Sequence, residues 1–230
     1  MILKALLLLS NIILPMTIVG FALMSPDVQH RWLYVLFMLS HSLFRAWETF
    51  FTSKERNPHQ FEGDWTLFVG TMAYIGLCFF ITFEFFLSAR ALNWVLTSLG
   101  LILYFVAVRL RLWGQVSLGR QWAIHVVGQN KVAKRRLLRI GPYQFIRHPI
   151  YFGIALDELA LPIIFNTGYA ILFVGLVNWP LLCVRLFLEE KKSRVLFKDK
   201  DYVQYQNDTG LFFPRTFEKA GYFLRKIFFL

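Results

Sequence analysis

The residues Ile163-Ile164-Phe165-Asn166-Thr167-Gly168-Tyr169-Ala170-Ile171 separate two apolar stretches, 149–165 and 169–188. Asparagine and glycine tolerate the left-handed backbone that ends a helix, so Asn-Thr-Gly reads as a turn. Apolar stretches of this length approach the roughly 20 helical residues that a bilayer core about 30 Å thick requires. The segment therefore reads as a tight helical hairpin that enters a membrane and returns.

Upstream of the hairpin, the stretches 5–24, 32–52, 65–87 and 91–108 have the same apolar character. The first begins Met1-Ile2-Leu3-Lys4, but its length, Pro15 and the spans that follow make it a retained helix rather than a cleaved signal. Composition agrees: 57% of the 230 residues are hydrophobic and 17% charged, with 25 Phe and 7 Trp, and mean hydropathy is +0.49. A soluble domain carries about 25% charged residues. A disordered chain, a secreted disulfide scaffold and an ordinary cytosolic enzyme are excluded. The expected fold is all-α, a polytopic transmembrane bundle of about six spans with a cytosolic amphipathic helix at the C-terminus. It forms a single membrane domain over 1–230, with four spans in 1–108 and the chemistry in 109–215.

The 25 Lys and Arg against 14 Asp and Glu leave a net charge of +11. With the N-terminus inside, 21 of the 25 bases fall on Lys4, the 53–64 and 109–148 loops and the tail after 188. Arg31 and Arg90 lie outside, and Arg45 and Arg185 lie within spans. That asymmetry predicts six crossings with both termini cytosolic. Small size favours a prokaryotic inner membrane over the endoplasmic reticulum. The Lys131–Arg139 cluster, five bases in nine residues, reads as a contact for acidic membrane lipids rather than nucleic acid.

Two constellations carry chemistry. Gly141-Pro142-Tyr143-Gln144-Phe145-Ile146-Arg147-His148-Pro149-Ile150-Tyr151 stands at the mouth of the fifth span. Pro149 suits a first helical position, so Arg147 and His148 sit at a helix start whose free N–H groups can hold an anion. Interfacial anchoring explains Arg147, His148 and Tyr151 as well, since such residues are common at headgroup depth. At the end of the sixth span, Arg185 and Glu189 share a helix face in Arg185-Leu186-Phe187-Leu188-Glu189-Glu190. They read either as an ion pair with a snorkelling arginine or as part of a site. Charges within spans are functional candidates by default. Glu158, seven residues after Tyr151 and on its face, reads as a base or substrate contact, or as a partner of Arg45 or Arg109. Asp157 points elsewhere, Arg45 and Glu48 satisfy each other, and Glu84 has no evident partner. The five His have no metal-ligand spacing, and Cys78 and Cys183 lie in apolar runs, so no metal is expected. Neither a P-loop nor a Rossmann glycine pattern is present.

Arg-His-Pro-x-Tyr-x-Gly after Gly-Pro-Tyr, then Glu-Glu at a span end, then Phe197, Tyr202, Tyr205 and Pro214, resembles the isoprenylcysteine carboxyl methyltransferase family. Phospholipid N-methyltransferases and other small membrane methyltransferases look similar in the same region. The resemblance covers about 109–215. It implies S-adenosylmethionine as cofactor and a lipidic or small amphipathic methyl acceptor, with a prenylcysteine-type carboxylate among the options. It also implies that Tyr143, His148, Pro149, Ile150 and Tyr151 line the cofactor pocket, that the backbone from Arg135 through Leu137 and Leu138 contacts it, that Glu189 binds the cofactor and that Arg185 faces the acceptor. A sterol-type membrane reductase using NADPH and a non-catalytic membrane scaffold are the alternative readings.

Overall fold

The computed structural model describes residues 2–51, 65–89, 91–119, 137–197 and 199–229. The chain forms α1 (Ile2–Met24), α2 (Arg31–Phe51), α3 (Trp65–Ser88), α4 (Trp94–Leu118), α5 (Pro149–Phe165), α6 (Gly168–Phe173), α7 (Trp179–Leu196), α8 (Asp199–Asp208) and α9 (Phe217–Phe229). A π-helical turn, Val174–Asn178, joins α6 and α7 into one continuous helix, and a 3-10 turn, Gly141–Gln144, precedes α5. The only extended pairing among the described residues is the parallel bridge between Ile146 and Gly210.

Three helices are long and apolar enough to cross a membrane, Trp65–Ser88, Trp94–Leu118 and Gly168–Val195; Ile13–Met24 is a shorter apolar helix. The expected count of six is thus not reached on length and apolarity among the described residues. α5 has only 17 residues, and α2 carries Arg45, Glu48 and His41 into the bundle.

The hairpin forms where the sequence places it. Asn166 takes the left-handed conformation (φ 58°) and ends α5. Its side-chain amide donates to the Ile163 and Ile164 carbonyls at 3.1 and 3.3 Å, while its Oδ1 accepts from the Asn93 amide at 2.6 Å. Asn93 in turn caps α4, accepting from Val95 N and Leu96 N at 3.0 and 3.3 Å. Caps of this kind satisfy amides that a helix start leaves without partners. Glu84, without a partner in the sequence reading, does the same for α6: its two oxygens accept from Tyr169 N at 3.1 Å and Ala170 N at 2.8 Å.

Among the described helices, α4 and α5 share the most extensive packing. A Cβ added at Gly100 would stand 2.8 Å from Ile164 N, and one at Gly153 would stand 2.8 Å from the Ala107 carbonyl. Two glycines thus let the backbones approach as small residues do between membrane helices. On one side of this pair lies an aromatic core from α2, α3 and α5, in which Tyr34 stacks on Phe85 at 4.4 Å and Phe165 fills in beside both. Tyr34 keeps its buried hydroxyl paired with Thr82 at 2.8 Å.

A chain of charges crosses the bundle beneath that core. Arg45 pairs with Glu48 at 2.6 Å, as the sequence suggests. Arg111 pairs with Glu48 at 3.1 Å and with Asp157 at 2.9 Å, and Gln115 donates to Glu48 at 2.9 Å. Tyr74 donates to Asp157 at 3.2 Å, and His41 stands between the Tyr74 and Tyr104 hydroxyls. Arg111 and Asp157 are 1% and 0% exposed, so neither charge would survive there without the other. Asp157, off the Tyr151 face in the sequence reading, is thus the α5 carboxylate that takes an arginine. Glu158 pairs with neither Arg45 nor Arg109: Arg109 donates to the Ile227 carbonyl of α9 at 3.4 Å, and Glu158 accepts from Asn178 at 3.2 Å.

Candidate active site at the start of α5

Three segments meet where α5 begins: the 3-10 turn, the end of α7 and the α8 region. The backbone holds two of them together. Arg147 N donates to the Gly210 carbonyl at 2.8 Å, His148 N to Leu211 O at 3.2 Å, and Gly210 N to Phe145 O at 3.3 Å. Tyr205 adds a hydrogen bond from its hydroxyl to the Tyr143 carbonyl at 2.7 Å, with Arg139 over its ring at 5.5 Å. Burial pushes the Tyr205 phenol well above its ordinary value despite the nearby Arg147, so it stays a donor. α8 is thereby folded back over the head of α5.

The two adjacent glutamates of α7 divide the work. Glu190 faces α8: its carboxylate accepts from His148 Nε2 at 2.6 Å, Arg147 Nε at 3.1 Å and the Tyr202 hydroxyl at 3.2 Å, and from the Gln206 side chain. Arg147 also donates to the Gln206 and Thr209 carbonyls at 3.1 and 2.6 Å. Arg215 donates to the same two at 2.8 and 3.2 Å. Two guanidinium groups thus satisfy carbonyls at the C-terminal end of α8, where positive charge is favourable.

Glu189 faces the other way. The Tyr151 hydroxyl accepts from Arg185 Nε at 3.2 Å and has Glu189 beside it, so it stands next to both α7 residues. Burial, with Glu189 beside it, pushes the Tyr143 phenol well above its usual range. His148 meets the Tyr151 ring edge to face at 5.7 Å. Tyr143, His148, Tyr151, Arg185 and Glu189 are therefore brought into one neighbourhood. Pro149 and Ile150 are buried at the helix start, the Ile150 side chain pressed against Gly114 of α4. Leu137 and Leu138 are half-buried in the segment that leads into the 3-10 turn, whereas Arg135 and Arg136 lie outside the described residues. Glu158 is not part of the group: seven residues beyond Tyr151, it lies about 10 Å further along the helix axis.

Sequence reasoning missed Glu190 and Gln206. Their partners are 42 and 16 residues apart in sequence, so no local spacing announces them. The signal that was available is the repetition of Glu beside a span end.

The donor set fits S-adenosylmethionine. One carboxylate beside two phenols suits a compact cation flanked by flat groups. The head of α5 has no side-chain cap, which leaves its first amides to an anionic group such as a carboxylate. No group of three His, Cys, Asp or Glu that would hold a metal occurs among the described residues.

The chain resembles known proteins in this same region. The family model for the isoprenylcysteine carboxyl methyltransferase (ICMT) family matches residues 99–193. The Protein-S-isoprenylcysteine O-methyltransferase of Saccharomyces cerevisiae is 24% identical over 190 residues, 78% of each chain. The uncharacterized protein YpbQ of Bacillus subtilis is 29% identical over 94 residues, 40% of this chain and 54% of that one. The solved structure of the eukaryotic intramembrane Ras methyltransferase ICMT superposes with a TM-score of 0.64 at 21% identity, over 83% of this chain and 68% of that chain. The fold is thus that of an intramembrane helical protein, and the family model spans α4 from Leu99 through both constellations to Ser193. The stretch that matches the isoprenylcysteine carboxyl methyltransferase family model is thus the stretch in which Arg-His-Pro-x-Tyr and the paired glutamates are assembled into one site, and there the chain is similar to that family of membrane methyltransferases.

Proposed function

We propose that the protein methylates the carboxylate of a lipidic, prenylcysteine-type acceptor at the cytosolic face of a prokaryotic inner membrane. The observation that carries this reading is the Tyr151 hydroxyl bonded to Arg185 with Glu189 beside it: a cation and an anion one turn apart next to a single phenol. Bound S-adenosylmethionine supplies an already activated methyl carbon on a cationic sulfur. Glu189, Tyr143 and Tyr151 bind its positively charged part, and the uncapped amides of Ile150 and Tyr151, just after Pro149 at the start of α5, take its carboxylate. Arg185 holds the acceptor carboxylate, and Tyr151 sets the angle of the guanidinium. A carboxylate arrives without a proton, so this site needs no general base. Its main contribution is alignment, an effect worth up to about 7–11 kcal/mol. α8 closes over the group and limits water. Six crossings with both termini cytosolic, supported by the placement of 19 of 25 bases once Arg109 and Arg111 are counted within α4, would put this end of the bundle where the cofactor is made.

The test uses protein in detergent or nanodiscs. Calorimetry should detect S-adenosylmethionine and not NADPH. Radiolabelled methyl should pass to N-acetyl-S-farnesylcysteine and be released as methanol by mild base, the behaviour of a methyl ester. Base-stable label on an amine lipid, with no ester formed, would overturn the carboxylate acceptor.

A further inference from the structure

The α5–α7 seam carries a second polar pair that the transfer site leaves unused. Tyr151 meets Arg185, and seven residues deeper on each helix Glu158 meets Asn178. The two helices run antiparallel, so the second pair lies directly below the first, about 10 Å away. Asn178 closes the π-helical turn Val174–Asn178, a feature that re-aims side chains and recurs at functional sites. Glu158 and Asn178 are 5% and 2% exposed. One hydrogen bond joins them, from Asn178 Nδ2 to Glu158 Oε1 at 3.2 Å, yet Glu158 Oε2 and Asn178 Oδ1 are both buried without a hydrogen-bond partner. Buried polar atoms are nearly always paired. Both of these atoms are oxygens, and with Glu158 ionised what they lack is a donor.

From these two unpartnered oxygens on the seam below Arg185, we infer that Glu158 and Asn178 form a specificity subsite for a hydroxyl or N–H group on the body of the methyl acceptor. The inference rests on the proposed transfer reaction and narrows its substrate class. An acceptor whose carboxylate lies at Arg185 and whose chain runs along the seam brings its atoms past Glu158 about eight bonds further on. An all-hydrocarbon chain would leave both oxygens unpaired, whereas a chain carrying a donor at that distance would pair them. A site built to hydrogen-bond a substrate hydroxyl rejects the analogue that lacks it, because its own polar groups then stay buried without partners. The acceptor is therefore a lipidic carboxylate with one polar group in its chain. Glu158 acts here through binding, and the methyl transfer needs no proton from it.

The experiment compares two acceptors on the full-length protein in nanodiscs: N-acetyl-S-farnesylcysteine and the same compound with a hydroxyl on its second isoprene unit. The readout is the ratio of their kcat/KM values, from which any loss of folded protein cancels. Wild type should favour the hydroxylated acceptor by roughly tenfold or more. Glu158→Gln and Asn178→Leu should bring the ratio close to one. A wild-type ratio near one, or a preference unchanged in both variants, would overturn the subsite and leave the pair as a fastening between helices. Binding of S-adenosylmethionine with no transfer to either acceptor would overturn the carboxylate reading and the subsite together.

Discussion

At the scale of single residues, neighbouring side chains in the chain serve different ends. Glu189 joins the Tyr151–Arg185 group, while Glu190 is spent on His148, Arg147, Tyr202 and Gln206. Asp157 turns to Arg111 and Glu158 to Asn178. Helical spacing made the Arg185–Glu189 face and the Tyr151–Glu158 face legible in the sequence, because residues three, four or seven apart must share a side. It had no means of choosing partners between helices, and so Glu158 was left with Arg45 or Arg109 as candidates. The division of roles on α7 predicts distinct defects. Glu189→Ala should weaken S-adenosylmethionine binding about tenfold or more in calorimetry, as loss of a charge-assisted contact does. Arg185→Ala should leave that affinity within about twofold and lower turnover by two orders of magnitude or so, because the acceptor is no longer held in line. Equal losses of cofactor affinity in both variants would show the face acting as one unit.

At the scale of elements, α8 is a short helix with little apolar surface of its own, held by hydrogen bonds at both faces of the site. Its docking depends on donors that remain protonated. Tyr205 has its folded-state pKa raised above the ordinary 10.0, so its share of the docking is complete below about pH 10 and is lost progressively as pH rises from there through the raised folded-state value. Hydrogen exchange in segment 199–211, corrected for the intrinsic rate, should stay slow to about pH 10 and quicken above it, and Tyr205→Phe should shrink the change. Retained protection at pH 12 would remove Tyr205 from the latch. α4, expected to end at 108, runs on to Leu118 and takes Arg109 and Arg111 out of the expected loop, because their buried partners on other helices leave no local mark. The bounds of α5 were readable, since Pro149 and Asn166 are local signals. The π-helical turn was not: five residues of altered winding inside an apolar run change no residue type. Nor was the cap on α6, because Glu84 sits 85 residues from the amide it accepts. Glu84→Ala should cost about 1 kcal/mol in unfolding measurements, the usual size of a lost cap.

At the scale of the molecule, the ion chain fastens the first half of the sequence to the second. Glu48 belongs to α2, Arg111 to α4 and Asp157 to α5, and all three side chains are buried. Asp157→Asn should therefore destabilise the protein by about 3–5 kcal/mol, because a fully buried guanidinium loses one of its carboxylates. The pair between Arg139 and Asp208 offers the contrast, with both partners more than 40% exposed; Arg139→Ala should shift stability by about 0–1 kcal/mol. Denaturant titration in mixed micelles compares the two. Sidedness is checked with single cysteines at Ala91 and Asn207 in a background free of Cys78 and Cys183. An impermeant thiol reagent should label Ala91→Cys on intact cells and Asn207→Cys only after lysis; the reverse pattern would invert the topology.

The order in which the chain is made gives that same ion chain another meaning. Glu48 leaves the ribosome first and is already engaged by Arg45 when Arg111 follows it on α4. The second carboxylate for Arg111 arrives only after the 120–148 segment and the first two turns of α5 have been synthesised. Until then α4 carries a charge that the lipid will not accept, although its Gly100 and Ala107 surface is ready for a neighbour. Release of α4 into the bilayer is thereby coupled to delivery of α5, and with α5 come His148 and Tyr151. A nascent chain arrested between α4 and α5 should remain at the insertion machinery, extractable with α4 only loosely held, whereas one extended past Asp157 should partition as a settled helical pair.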